Sequence, residues 1–176
     1  VMKNLFDDIK TPTLLLDKDK CVANISSMAE KAKKHNIIFR PHFKTHQSLE
    51  IGKWFREFRV DKITVSSLQM AEYFANDGWN DITVAFPINI REFERINLLA
   101  AKIKLNILVE SVEAIAFLSS TLTSQVNYFI KIDSGYHRTG IDPHNTRLIS
   151  EIIEASNKSP LLKFTGFLTH AGHSYK

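Results

Sequence analysis

Arg40-Pro41-His42-Phe43-Lys44-Thr45-His46 carries four cationic or ionisable side chains at alternate positions, behind the apolar, β-prone Ile37-Ile38-Phe39. Side chains alternate across a strand, so an extended chain sends Arg40, His42, Lys44 and His46 to one side. Four such groups solvate poorly on one protein surface unless that surface lines a polar cavity. A lysine held among cations and partly desolvated loses its proton more readily, and its free amine then attacks aldehydes. The pattern points to a Schiff-base lysine at Lys44. Read as metal pairs, His42 with His46 and His170 with His173 lack the helical His-Glu-x-x-His arrangement, so no residue of this chain is assigned to a metal.

The elements that must position these groups alternate along the chain. Strands are expected over residues 13–16, 37–44, 62–66, 81–86, 105–109, 126–133 and 161–170. Between them lies helical spacing. Asp17 or Asp19 can cap a helix carrying Val22, Ile25, Met28 and Ala32, and a second helix spans residues 49–58. Ser66 with Gln69 makes a capping-box pattern for a helix that stops near Gly78. Further helices start near Ile90, cover residues 112–118, and open at Asp142-Pro143 with proline at the first helical position.

Repeated β-α units with no internal linker argue for a parallel sheet covered by helices. The glycine-rich phosphate fingerprint of a dinucleotide fold is missing after the first strand, and no P-loop occurs. The residues that could do chemistry sit instead at the ends of several strands, the arrangement of a (β/α)8 TIM-type barrel. The expected strands fall short of the eight that close a barrel, and such folds typically take about 250 residues. The 176 residues are therefore expected to be an incomplete, N-terminal portion of a barrel.

Composition narrows the function classes. With 44% hydrophobic and 10% aromatic residues the chain can bury a substantial core and is not compositionally disordered. A formal charge of +4 is spread along the sequence, Lys31, Lys33 and Lys34 being the densest run, so a nucleic-acid footprint is lacking. The single Cys21 excludes an intrachain disulfide and fits a reducing compartment. No apolar run is long enough for a membrane span and no signal-peptide pattern opens the chain, so a cytoplasmic location is the default.

The Arg40–His46 stretch, followed by Leu49-Glu50, resembles the cofactor-lysine motif of the D-threonine aldolase and D-serine dehydratase group. These are fold-type III pyridoxal-phosphate enzymes related to the N-terminal barrel of alanine racemase. Thr11-Pro12-Thr13 leading into Leu16-Asp17 resembles the start of that group. Asp133-Ser134-Gly135-Tyr136-His137-Arg138-Thr139-Gly140 resembles its glycine-arginine loop, and Thr169-His170-Ala171-Gly172-His173-Ser174-Tyr175 the segment after the following strand. The resemblance runs from Thr11 to Tyr175.

The resemblance implies that Lys44 holds pyridoxal 5′-phosphate as a Schiff base and that Arg138 stands near the cofactor's phenolic oxygen. His170 lies beside the pyridine ring, His173 or Tyr175 approaches the substrate, and Arg40 and His42 line the pocket. The implied reaction is retro-aldol cleavage of D-threonine-like β-hydroxy D-amino acids to glycine and an aldehyde. D-serine dehydration and racemisation run on the same barrel residues. A divalent metal is implied through residues of a C-terminal β-domain outside this chain; a homodimer is expected because an incomplete barrel exposes sheet edges and apolar faces. A non-catalytic carrier of pyridoxal phosphate and an interaction domain with no cofactor are the readings from other classes.

Overall fold

The computed structural model describes residues 6–175. The chain divides into two compact units, one ending at Ile38 and the other starting at Phe39. The first holds helix α1 (Lys18–Lys34), whose start is fixed by Asp17, which accepts a 3.0 Å hydrogen bond from the Lys20 amide.

The second unit is built from strands β1 (Lys62–Val65), β2 (Asp81–Pro87), β3 (Lys104–Val109), β4 (Val126–Ile132) and β5 (Leu162–Thr169). Helices α2 (Leu49–Glu57), α3 (Leu68–Ala75), α4 (Phe93–Ala100), α5 (Val112–Thr121) and α6 (Thr146–Ser156) belong to the same unit. Each strand pairs in parallel with the next in sequence, giving the order β1-β2-β3-β4-β5. A doubly wound sheet reverses its order at a switch point. This sheet never reverses, which is the progression of a barrel.

Alternation along the strands gives the sheet two chemically distinct faces. Ile63, Val65, Ile82, Val84, Leu105, Ile107, Val109, Val126, Tyr128 and Ile130 are buried in one core with Leu68, Phe74, Ile96, Ile115 and Ile152 of the helices. The opposite face carries Thr64, Thr83, Asn106, Leu108, Asn127 and Lys131, all buried as well. Polar groups on a buried face need partners, and here Asn106 and Asn127 find theirs in a chain, whereas the Thr83 hydroxyl has none. Arg40 pairs with Asp81 at 2.8 Å, Asn106 donates to Asp81 at 2.9 Å, and Asn127 donates to Asn106 at 3.1 Å. This ladder crosses the N-terminal half of the sheet.

The structure corrects several expected elements. Residues 13–16 form no strand; Leu14 is 98% exposed. The expected strand over residues 37–44 is reduced to one bridge between His42 and Thr64, with the Thr64 amide bonded to the Pro41 carbonyl at 2.8 Å. Pro41 has no amide proton to continue a ladder. The chain then tightens into a 3-10 turn, Phe43–Thr45, because the His42 ring nitrogen Nδ1 accepts from the Lys44 amide at 3.3 Å. Helix α3 is capped by Ser67, not Ser66, through a 3.1 Å bond from the Met70 amide. Asp142 makes a turn with the His144 amide, so α6 starts later, capped by Asn145. A 3-10 turn, Ile90–Glu92, precedes α4.

Candidate functional site

The side chains expected to share one surface separate into three groups. His42 is in register with Thr64, which places it on the sheet face turned away from the helices. Arg40, two residues earlier, shares that face but reaches toward the N-terminal ends of the strands. Its guanidinium donates to the carbonyls of Ile63 (3.3 Å) and Asp81 (3.2 Å) and pairs with the Asp81 carboxylate. His46 goes the other way. The 3-10 turn carries it into the aromatic core, 4.5 Å from the Phe43 ring and stacked on Phe55 at 5.9 Å. Its Nδ1 accepts from the Ser48 amide, and its buried Nε2 has no hydrogen-bond partner. His46 is a core residue, and Arg40 a member of the polar ladder.

Lys44 stands on the exposed side of the turn, at the C-terminal end of the sheet. Around it the structure gathers His42, His170, Arg138 and Lys131. Burial, then the charges of Lys44 and His170, lowers the His42 pKa from its ordinary 6.5 to about 4. Partial burial, then the charges of Arg138, Lys131 and Lys44, also lowers that of His170. Both imidazoles are therefore neutral near neutral pH. His42 uses Nδ1 as an acceptor, so its proton is assigned to Nε2.

Arg138 is delivered by the loop between β4 and α6. Asp133 Oδ1 accepts three backbone amides, those of Gly135, Tyr136 and His137, each at 3.0 Å. The His137 bond, then that of Gly135, holds the Asp133 carboxyl below its ordinary pKa. The loop closes back on β4 where Ile141 donates to Lys131 and accepts from Asp133. Gly140 is required at that closure. Its φ is +118°, and a Cβ there would lie 2.5 Å from the Asp133 amide nitrogen. The loop lays Arg138 over the Tyr136 ring at 5.4 Å, and Tyr136 in turn meets His170 edge-on at 5.2 Å.

The segment after β5 completes the surface. Tyr175 packs edge-on against His170 at 5.9 Å and is otherwise exposed. His173 is exposed near Gly135, where an added Cβ would lie 3.9 Å from its Cε1. Gly172 lies so close beneath Tyr136 and His170 that a Cβ would meet them at 2.8 and 3.0 Å.

Two residues here escape sequence reasoning. Lys131 is 4% exposed on β4, and burial, then Arg138, holds its amine below the usual lysine pKa. Glu110, just past β3, is raised by burial, with Lys131 opposing, and its Oε1 has no hydrogen-bond partner. Only the alternation of β4, which puts Lys131 on the face of Asn127, could have flagged it.

The donor set fits a planar, negatively charged aromatic aldehyde: an amine on a tight turn, a guanidinium, and two neutral imidazoles, of which His170 lies between tyrosine rings. Among the described residues no group of three His, Cys, Asp or Glu side chains is placed to hold a metal ion. Nor is any helix among them long and apolar enough to cross a membrane.

Comparison with known proteins agrees with the barrel progression of the sheet. Residues 16–176 match the family described as alanine racemase, N-terminal domain. A D-serine dehydratase of Dictyostelium discoideum is 30% identical, over 97% of this chain and 47% of its own length. A 3-hydroxy-D-aspartate aldolase of Paracoccus denitrificans is 31% identical, over 94% of this chain and 44% of its own length. The solved structure of D-threo-3-hydroxyaspartate dehydratase from Delftia sp. HT23 superposes with a TM-score of 0.89 at 28% identity, covering 96% of this chain and 45% of that one. The chain thus spans less than half the length of these relatives.

Proposed function

The chain belongs to the alanine racemase N-terminal domain family, and from that premise we propose that it is the cofactor-bearing portion of a pyridoxal-phosphate lyase acting on β-hydroxy D-amino acids. The reaction proposed is cleavage of the Cα–Cβ bond of D-threonine-like substrates, giving glycine and an aldehyde. A second reading, loss of water and ammonia from the same substrates, draws support from the similarity to D-serine dehydratase. The observation that carries the reading is the gathering of Lys44, His42, Arg138 and His170 around one open surface at the C-terminal ends of parallel strands.

When bound, the cofactor would draw electrons away from the substrate's α-carbon. The residues of this chain do the rest. Lys44 would hold the cofactor through its amine, which stands on the exposed side of the turn. Arg138, held on the Tyr136 ring, supplies a fixed positive charge for an anionic oxygen. His170, flanked by Tyr136 and Tyr175, is the flat wall beside an aromatic ring. His42 presents Nε2–H as a neutral donor, and His173 and Tyr175 stand on the open side, where a substrate enters.

The test is to incubate the full chain with pyridoxal phosphate, reduce with borohydride and map the pyridoxyl mass. Selective labelling of Lys44, abolished in Lys44→Ala, is expected; labelling scattered over the surface lysines of folded protein overturns the reading. Product analysis with D-threonine and D-serine then separates the reactions. Glycine with acetaldehyde marks cleavage; a 2-oxo acid with ammonia marks elimination.

A further inference from the structure

We propose that Arg40 is a positioning residue, and that its grip on β1, β2 and Asp81 sets where the Lys44 amine stands. This rests on the reading of Lys44 as the aldehyde-reactive lysine.

The segment that carries Lys44 is weakly bound to the sheet by its backbone. Its ladder consists of the single His42–Thr64 bridge, and Pro41 can add no donor. Arg40 supplies what the ladder lacks. Its Nη1 donates to the Ile63 and Asp81 carbonyls, which belong to two neighbouring strands, and its Nη2 pairs with Asp81 Oδ1. Asp81 is itself immobilised, by Asn106 Nδ2 at 2.9 Å and Lys104 Nζ at 3.3 Å. Asn106 is 1% exposed and is held in turn by Asn127. The guanidinium is thus moored to four successive elements of the sheet.

Arg40 works at a distance from the chemistry. It points to the N-terminal ends of β1 and β2, whereas Lys44 lies past their other ends, up to about 13 Å along an extended chain. It therefore acts on Lys44 through the backbone it anchors. Between anchor and amine stand Pro41, with a fixed φ, and the His42-capped turn, both stiff connectors. Capture of an aldehyde requires the amine in attacking geometry, and a shift of about 1 Å can cost on the order of a hundredfold in rate.

Arg40→Lys retains the charge but cannot reach three acceptors in a planar fork. Lys44 labelling by pyridoxal phosphate with borohydride trapping is measured across reagent concentration and pH, below the unfolding temperature. A roughly tenfold fall in maximal rate is expected, with the half-saturating concentration and the pH midpoint unchanged. A raised half-saturating concentration would mean that Arg40 touches the cofactor, and a moved midpoint that it acts through charge on the amine. Either overturns the proposal, as does an unchanged rate. If Arg40→Lys does not fold, Asp81→Asn, which preserves shape while removing the ion pair, carries the same comparison. A wild-type chain unlabelled at Lys44 overturns the site reading, and the positioning role with it. A labelled wild type with an unaffected variant overturns the positioning role alone.

Discussion

His42 and His46 sit four residues apart in the turn region, and burial is the first cause of a lowered pKa at both. Their consequence for stability has a definite sign. Each binds its proton more readily in the unfolded chain, near 6.5, than in the folded one, where His42 titrates at about 4. Stability is complete above pH 6.5 and declines as pH falls toward 4. Melting temperatures measured from pH 7 to 4.5 are expected to drop, and His46→Phe to reduce the drop by removing the aromatic-cluster imidazole. Asp81 acts in a lower window. Burial alone would raise its carboxyl, but Arg40, then Asn106 and Lys104, hold it below 3.8, so its contribution is lost only at more acid pH. At this scale the motif announced its chemistry but not its geometry. Period-two spacing correctly put Arg40 and His42 on one face. It failed at His46 because an imidazole accepted the backbone amide two residues on, a local bond that no spacing rule foresees.

At the scale of elements, two devices hold the site: the polar ladder and the β4–α6 loop. Asn106→Leu keeps the volume but removes one donor to Asp81 and the acceptor for Asn127. It should cost about 1–3 kcal/mol in urea unfolding, with the slope unchanged. Gly140→Ala forces a Cβ against the Asp133 backbone in a left-handed conformation. A loss of about 2 kcal/mol or more is expected, with Arg138 displaced; reduced protection of the 133–140 amides in hydrogen exchange is the check. Helices and core strands were legible from periodicity because burial against one face dictates them. Caps were less so. Ser67 and Asn145 won over Ser66 and Asp142 since the decisive hydrogen bond depends on where the preceding strand or turn lets go. The ladder was invisible, because asparagine on an inward strand face reads in sequence as a solvated residue.

At the scale of the molecule, strand order is the informative feature. The alternation of β and α segments foretold the parallel sheet, and the spread of chemical residues over strand ends foretold the barrel progression. The first two expected strands did not form: residues 13–16 are exposed, and Pro41 has no donor to extend the single bridge of the 37–44 segment. On its own the 176-residue chain presents the outer edge of β5, with Phe167 56% exposed, and we expect concentration-dependent self-association in sedimentation velocity. Phe167→Lys should weaken it. The same strand order also governs how the sheet comes into being. Val65 meets Val84 and Val109 meets Ile130, each only one β-α unit further along. Loop closure is short at every step, and no strand waits for a distant mate. A chain emerging from the ribosome N-terminus first can therefore add strands in the order it is made, each finding its neighbour already docked, with the lysine turn laid down at the outset.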